Sequence, residues 1–296
     1  MEHQLYQQIV ALLKELDKSR TRREGDYPDW RIAAVYYWSV LFDRPMRWAC
    51  EACNWPIWLR RERLPSPSRM SVRLRTKSVQ ALLARLEDRV VRRPDHQGVV
   101  WLIDGKPLTI SGVSQDRQAG YGRAARSKAK GYKIHVLCGN DKSLAEWRLA
   151  PMNVDERKIA RRMLRSAKVQ GYVMADANYD SNELHSVCDK RGNLQLVSPR
   201  RYGPGRGHGH RKQTAGRLRS KAILEDPFPQ FGQALLAQRG DIERHFGNWT
   251  GWGGGLTHLP PWVRTYRRVH RWVQAKIILN YVKRPLEITT YVEKRN

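Results

Sequence analysis

YVMADANYDSNELHSVCDKRGNLQLVSP, residues 172–199, reads as strand, helix and strand in succession. Tyr172 to Ala175 is a short apolar run of strand length. Asn182 to Arg191 carries Leu184, Val187 and Cys188 at helical spacing, and Gly192 follows as a stop. Leu194 to Val197 is a second apolar run. Two aspartates flank the first junction. Asp176 sits at the mouth of the first strand. Asp180 lies three residues before Glu183, an Asp-x-x-Glu pattern that predicts a helix N-cap more readily than a ligand.

The pattern extends outward on both sides. Upstream, GVVWLIDG, PLTISGVS, YKIHVLCG and EWRLAP are strand-like pieces spaced as in an antiparallel meander. Asn153 to Lys168 then predicts a helix, capped by Asn153 with Glu156, burying Ile159, Met163, Leu164 and Ala167. Downstream comes a Gly-rich basic loop, RRYGPGRGHGHRKQTAGRLRSK, then helices around 233–248 and 264–282. In the latter, Trp272, Val273 and Ile277 mark a core-facing side. Strands followed by alternating helix and strand predict an α/β fold, a ribonuclease H-like mixed sheet flanked by helices. Residues 1–92 show helical periodicity and no strand pattern: Leu5, Ile9, Leu12 and Leu13, then Trp30–Leu41, a break at LPSPSR, and Ser71–Val91. The expected organisation is an all-α region at 1–92 and an α/β domain at 93–296.

Composition bounds the function. The chain has 296 residues, 41% of them hydrophobic, so it folds around a real core. Its formal charge of +27 calls for a polyanionic partner, and nucleic acid is the usual one. The basic residues are spread along the chain rather than gathered on one amphipathic helix, which argues against a membrane surface. Cys50 and Cys53 form a lone CxxC with no second ligand pair, so these and Cys138 and Cys188 are expected as buried free thiols. No leader-like N-terminus and no apolar run near the ~18 residues of a span is present, which predicts a cytoplasmic protein.

Metal-assisted phosphoryl transfer needs carboxylates converging from separate elements, so isolated acids at strand ends are the candidates. Asp104 ends the apolar run VVWLI and precedes Gly105; function and an Asp-Gly hairpin turn fit it equally. Asp176 fits as well. Glu243 lies beside the stripe Ile242, Phe246 and Trp249, with Arg239 four residues earlier; a surface ion pair is the plainer reading of those two.

Basic residues flank these positions. Arg117, Arg123, Arg126, Lys128, Lys130 and Lys133 follow Asp116, the single acid of that segment, and from Arg200 to Lys221 there are eight Lys/Arg and no acid, Arg200, Arg201 and Arg206 among them. Both segments suit phosphate contacts, although solvated charged loops are common. Trp249 is a candidate for base stacking, or simply core. Lys133 and His135 share one face of a strand and line the cleft or serve structure. His208 and His210 lack the further ligands of a metal site.

Taken together, LIDGKPLTI, GYKIHV, MADANYDS, VSPRR and RGDIERHFGNW resemble the DDE transposases of bacterial insertion sequences, in the branch with D-x-x-Y-D-S and R-x-x-x-E signatures. The similarity runs from about Val99 to Tyr281. Each motif is short; five in the right order are specific. The resemblance implies Asp104, Asp176 and Glu243 as catalytic, metal-binding residues holding two Mg²⁺ ions, with Mn²⁺ as a substitute. It implies 3′-end cleavage and strand transfer on double-stranded DNA, a homodimer pairing two ends, and a nucleoid-associated protein. Arg239 matches the signature arginine. Leu236 and Thr250 stand where the family often has Tyr and Lys, so the chain departs from the pattern at the donor-end contacts. In similar proteins the N-terminal region binds terminal repeats. A ribonuclease H-like nuclease without strand transfer, a catalytically silent DNA-binding relative, and an RNA-binding protein are the rival functions.

Overall fold

The computed structural model describes residues 2–18, 27–57, 63–91, 98–110, 115–124, 127–141, 143–199, 213–225, 229–250, 255–256 and 258–293. By internal packing the chain divides into two units, 1–93 with 249–296, and 94–248.

The first unit is helical: α1 (Glu2–Leu16), α2 (Asp29–Leu41), α3 (Met46–Ala49), α4 (Pro67–Arg73), α5 (Lys77–Val90) and, from the far end of the chain, α11 (Tyr266–Glu293). The helix expected over Ser71–Val91 is two helices, because the Thr76 hydroxyl accepts from the Val79 amide and starts α5 anew. α11 joins this unit by burying Trp272, Val273 and Ile277. Its Lys276 ammonium pairs with Asp43 at 2.9 Å, and Gln274 donates to Glu87 at 2.6 Å. The expectation that all four cysteines are buried is corrected here. All are free, but Cys53 is exposed and Cys50 half-buried, while Cys138 and Cys188 are buried. Among the described residues no helix is long and apolar enough to cross a membrane.

The second unit is the α/β part. Its strands are β1 (Val100–Thr109), β2 (Gly120–Ala124), β3 (Ser127–Gly139), β4 (Leu144–Pro151), β5 (Gly171–Met174) and β6 (Leu194–Val197). β1 pairs antiparallel with β3 and parallel with β5; β3 pairs antiparallel with β4 and with β2; β5 pairs parallel with β6. The path β4-β3-β1-β5-β6 is a mixed sheet, three antiparallel strands continued by two parallel ones, compatible with a ribonuclease H-like fold.

Helices α6 (Glu156–Ser166) and α7 (Asn182–Arg191) cover one side of the sheet. There Trp101 and Ile103 meet Ile159, Met163, Leu164, Leu184 and Val187 in a continuous core. Arg191 ties the two helices by donating to the carbonyls of Leu164, Ala167 and Val169. The cap of α6 is Asp155 rather than Asn153; its Oδ1 accepts from the Arg157 amide at 2.9 Å. α7 ends at Gly192 with φ 74°, the left-handed geometry that glycine adopts without strain. Then come α8 (Ala215–Glu225), α9 (Pro229–Ala237) and α10 (Gly240–Thr250). So the end of the expected basic loop, from Ala215, is helix, and the helix expected over 233–248 is broken before Gly240.

Candidate active site

Asp104 lies inside a strand. β1 continues unbroken through Asp104–Gly105, with Asp104 opposite Val136 and Gly105 opposite His135. This removes the hairpin-turn reading. Its carboxylate accepts from the Gly105 amide at 2.7 Å. Gly105 is needed for space: a Cβ there would stand 2.8 Å from Lys133 Cδ and 3.2 Å from His135 Nδ1. The side chains of Lys133 and His135 therefore lie over the Gly105 backbone, on the sheet face opposite the Asp104 side chain.

Asp176 follows β5 and opens a 3₁₀ turn, Ala177–Tyr179. Its Oδ1 accepts from the Asn178 amide at 2.9 Å and its Oδ2 from the Asn178 side chain at 3.1 Å. The Ser198 hydroxyl donates to the Asp176 carbonyl at 2.6 Å. Parallel pairing of Met174 with Val197 brings Ser198 to this point. Thus the VSP segment after β6 anchors the aspartate that follows β5.

Electrostatics join these elements. The Asp104 carboxyl is pushed up to about 6, first by burial, then by the negative charges of Asp176 and Glu156, while the Gly105 amide and Arg239 pull it down. Asp104, Asp176, Glu156 and Arg239 therefore share one field. Tyr179, 1% exposed, feels the same three carboxylates. Its hydroxyl lies close to Glu156 without a well-aligned hydrogen bond to it. Two hard carboxylates with little compensating charge suit a divalent cation. Among the described residues no three His, Cys, Asp or Glu side chains are already grouped to hold one.

Glu243 is exposed in the first turn of α10 and, among the described residues, enters no hydrogen bond or ion pair. The helix start nevertheless approaches Asp104. The charge of Arg239 reaches that carboxyl. Lys106, two residues along β1 on the same face as Asp104, has its Nζ 5.8 Å from the Phe246 ring. Gln238 accepts from Asn140 at 3.0 Å. Glu243 lies three residues before Phe246 on α10, and Arg239 lies in the turn just before that helix.

Asp180 is not the cap of α7. Ser181 is, its hydroxyl accepting from the Leu184 amide at 3.4 Å. Asp180 is buried and takes a bidentate pair from Arg217 of α8, at 2.8 and 2.7 Å, with His185 Nε2 at 3.6 Å. The N-cap position falls one residue later, which frees Asp180 to cross-link α8 to the turn behind Asp176.

The first basic segment is a hairpin rather than a loop. Arg123 and Lys128 face each other across β2 and β3, as do Tyr121 and Lys130. Tyr121 is 60% exposed, and both lysine ammoniums stand 5.9 Å from its ring. Arg117 is exposed. Asp116 is buried and accepts from the Tyr132 hydroxyl at 2.9 Å and from the Gln118 amide, so the segment's one acid turns inward. Lys133 is ion-paired with Glu156. His135 is buried with neither ring nitrogen hydrogen-bonded, and burial pushes it down to about 4. In the second segment Arg217 pairs with Asp180 and Arg219 with Asp189. Trp249 is 4% exposed, a core position that a base cannot reach without rearrangement. Arg126, Arg200, Arg201, Arg206, His208 and His210 lie outside the described residues. The sequence reading missed Lys106, Glu156 and Tyr179 as neighbours of the aspartates. Only Lys106 had a local signal, its place two residues from Asp104 on a strand.

A family model described as transposase DDE domain matches residues 95–279 of this chain. No curated protein matches it.

Proposed function

Because the chain belongs to the transposase DDE domain family, we propose that it cuts the ends of a bacterial insertion sequence and joins them to target DNA. The observation that carries the reading is the shared field of Asp104 and Asp176, two carboxylates delivered by adjacent parallel strands. Glu243 is the third acid of this reading. α10 would bring it in from the Arg239 side when DNA and cation are bound. Asp104, Asp176 and Glu243 would hold two Mg²⁺ ions, with Mn²⁺ as substitute, which would supply charge to stabilise the in-line displacement.

The chain's own residues do the rest. Burial and like charge keep Asp104 reluctant to ionise alone, so the cost of assembling the acids is met by the ligand they take up. Arg239 places positive charge beside the same carboxyl, where a phosphate would sit. The hairpin face of Tyr121, Arg123, Lys128 and Lys130 offers cations and an exposed ring to a DNA strand, with Arg117 nearby. Water adds to the phosphorus at the element end and the 3′-oxygen leaves as a hydroxyl. That 3′-OH then attacks a target phosphodiester, so bonds are exchanged without a covalent protein intermediate. Pairing two ends requires two copies, hence a homodimer on DNA. The helical residues 1–92 are the proposed end-binding and dimerisation region and 93–296 the catalytic one, in a cytoplasmic, nucleoid-associated protein.

A joining assay tests this. Pre-cut 3′ ends, supercoiled target and Mg²⁺ should yield joined products. Cleavage of uncut ends without joining would make the protein a nuclease. Binding with neither reaction would make it a silent DNA-binding relative.

A further inference from the structure

Helix α8 buries Gly216, Arg217 and Ser220 and leaves Leu218 51% exposed. A helix packed for stability alone turns its apolar side inward. Here the inward side is polar, and each polar group on it meets a residue at one end of the turn from Asp176 to Asp180. Ser220, 1% exposed, accepts from the Ser198 amide at 3.2 Å and donates to the Ser198 carbonyl at 3.5 Å. Ser198 lies just past β6, the last strand on its side of the sheet, so one hydroxyl does what a neighbouring strand would. With its backbone held this way, the Ser198 side chain donates to the Asp176 carbonyl at 2.6 Å. That carbonyl also accepts from the Tyr179 amide at 3.1 Å, so Asp176 is gripped by β6 and by its own turn. Arg217, three residues before Ser220 and on the same side of α8, holds the far end of the turn through its two bonds to Asp180. Arg217 is 9% and Asp180 7% exposed. α8 is itself fixed at its start, where the Asp189 carboxylate accepts from the Gly216 amide at 2.9 Å and leaves no room for a Cβ.

We propose that Ser220 and Arg217 are positioning residues of the active site. Through Ser198 and Asp180 they fix the two ends of the turn that presents the Asp176 carboxylate, and so set its affinity for a divalent cation. This rests on the reading of Asp176 as a cation ligand. Neither residue touches the cation; each acts through another. Loosening either end leaves the carboxylate present but spread over more directions, so the loss should appear in cation affinity before any DNA is bound.

Mn²⁺ titration followed by electron spin resonance, on the full chain without DNA, tests this. Ser198→Ala and Ser220→Ala should each weaken Mn²⁺ binding by about tenfold or more, the usual cost of removing a group that orients a ligand. The two act in series, so the double variant should bind no more weakly than the weaker single. Arg217→Lys keeps the charge and loses the fork; it should weaken binding by at least about threefold. Val187→Ala, a truncation in the core beneath α7, gives the effect of lost stability alone and should stay within about twofold of wild type. Serine variants within about twofold of wild type, or a loss as large in Val187→Ala, overturn the proposal. Amide exchange at Tyr179, which needs no metal, should speed by at least about tenfold in Ser198→Ala, Ser220→Ala and Arg217→Lys; unchanged exchange also overturns it. Asp176→Asn separates the two readings. If it leaves Mn²⁺ binding intact, the reading of Asp176 as a ligand fails, and Tyr179 exchange still decides whether α8 holds the turn. If it abolishes binding while the serine variants keep theirs, only the present proposal fails.

Discussion

Replacing Asp104 by asparagine should stabilise the protein while destroying its activity. The Asp104 carboxyl rises from the usual 3.8 to about 6, chiefly through burial. Each pH unit is worth about 1.4 kcal/mol, so keeping this group ionised above pH ~6 costs the folded state up to about 3 kcal/mol. The sign follows from proton binding. Between the two values the folded chain holds a proton that the unfolded chain has lost, so stability falls as pH rises through that window and stays reduced above it. In Asp104→Asn the side chain keeps an oxygen for the Gly105 amide and never ionises. Its new amide N–H must find a partner, so a gain of about 1–2 kcal/mol at pH 8 is expected. That is about 5 °C in melting temperature for a unit of this size. His135 acts oppositely in nearly the same window. Burial lowers it from 6.5 to about 4, so stability is lost as pH falls toward that value. The two trends offset in the wild type. In Asp104→Asn only the histidine trend remains, and acidification from pH 7 to 5 should cost the variant more than the wild type. Denaturant titrations at pH 5 and 8, without divalent cations, measure both. A variant less stable than wild type at pH 8, or an effect independent of pH, would refute the argument.

Other perturbations read other parts of the site. Asp176→Asn and Glu243→Gln should abolish end cleavage in a gel assay and leave end binding within a few-fold. Asp180→Asn strands the buried Arg217 charge, so it should cost about 3 kcal/mol in chemical denaturation; a loss below about 1 kcal/mol would restore Asp180 to the role of a dispensable turn residue. Lys128→Gln with Lys130→Gln should lower the slope of log affinity against log salt by nearly two, since each phosphate contact contributes about 0.9. An unchanged slope would remove the hairpin from the DNA path.

The fold was legible wherever periodicity and stop signals agreed. The apolar runs at 100–103, 172–175 and 194–197, with the Leu184–Cys188 helix between the last two, specify strands whose crossover forces parallel pairing. Boundaries were harder where a single hydroxyl decides them. Thr76 started a helix where one continuous helix was expected, and Ser181 outcompeted Asp180, because a cap is chosen by backbone geometry that the residue type only permits. Asp104 was legible as an acid at the end of an apolar run. Its place within a continuous strand was not, since Asp-Gly is also a turn signal and only pairing to β3 overrides it. The basic segment at 116–133 looked like a loop because charges mask alternation; the register of Tyr121 with Lys130 shows it. Glu156 was legible only as a capping partner of Asn153; its inward turn depends on Lys133, an ion pair between positions 23 residues apart.

The central claim is that Asp104, Asp176 and Glu243, from two strands and a helix, close on the same cations. Anomalous diffraction at the manganese edge, from crystals of the full chain grown with end DNA and Mn²⁺, measures it directly. The account predicts manganese peaks within coordination distance of both aspartates, with Glu243 among the ligands. Peaks ligated by Asp104 and Asp176 while Glu243 stays in solvent, or no peak between the aspartates, would contradict it.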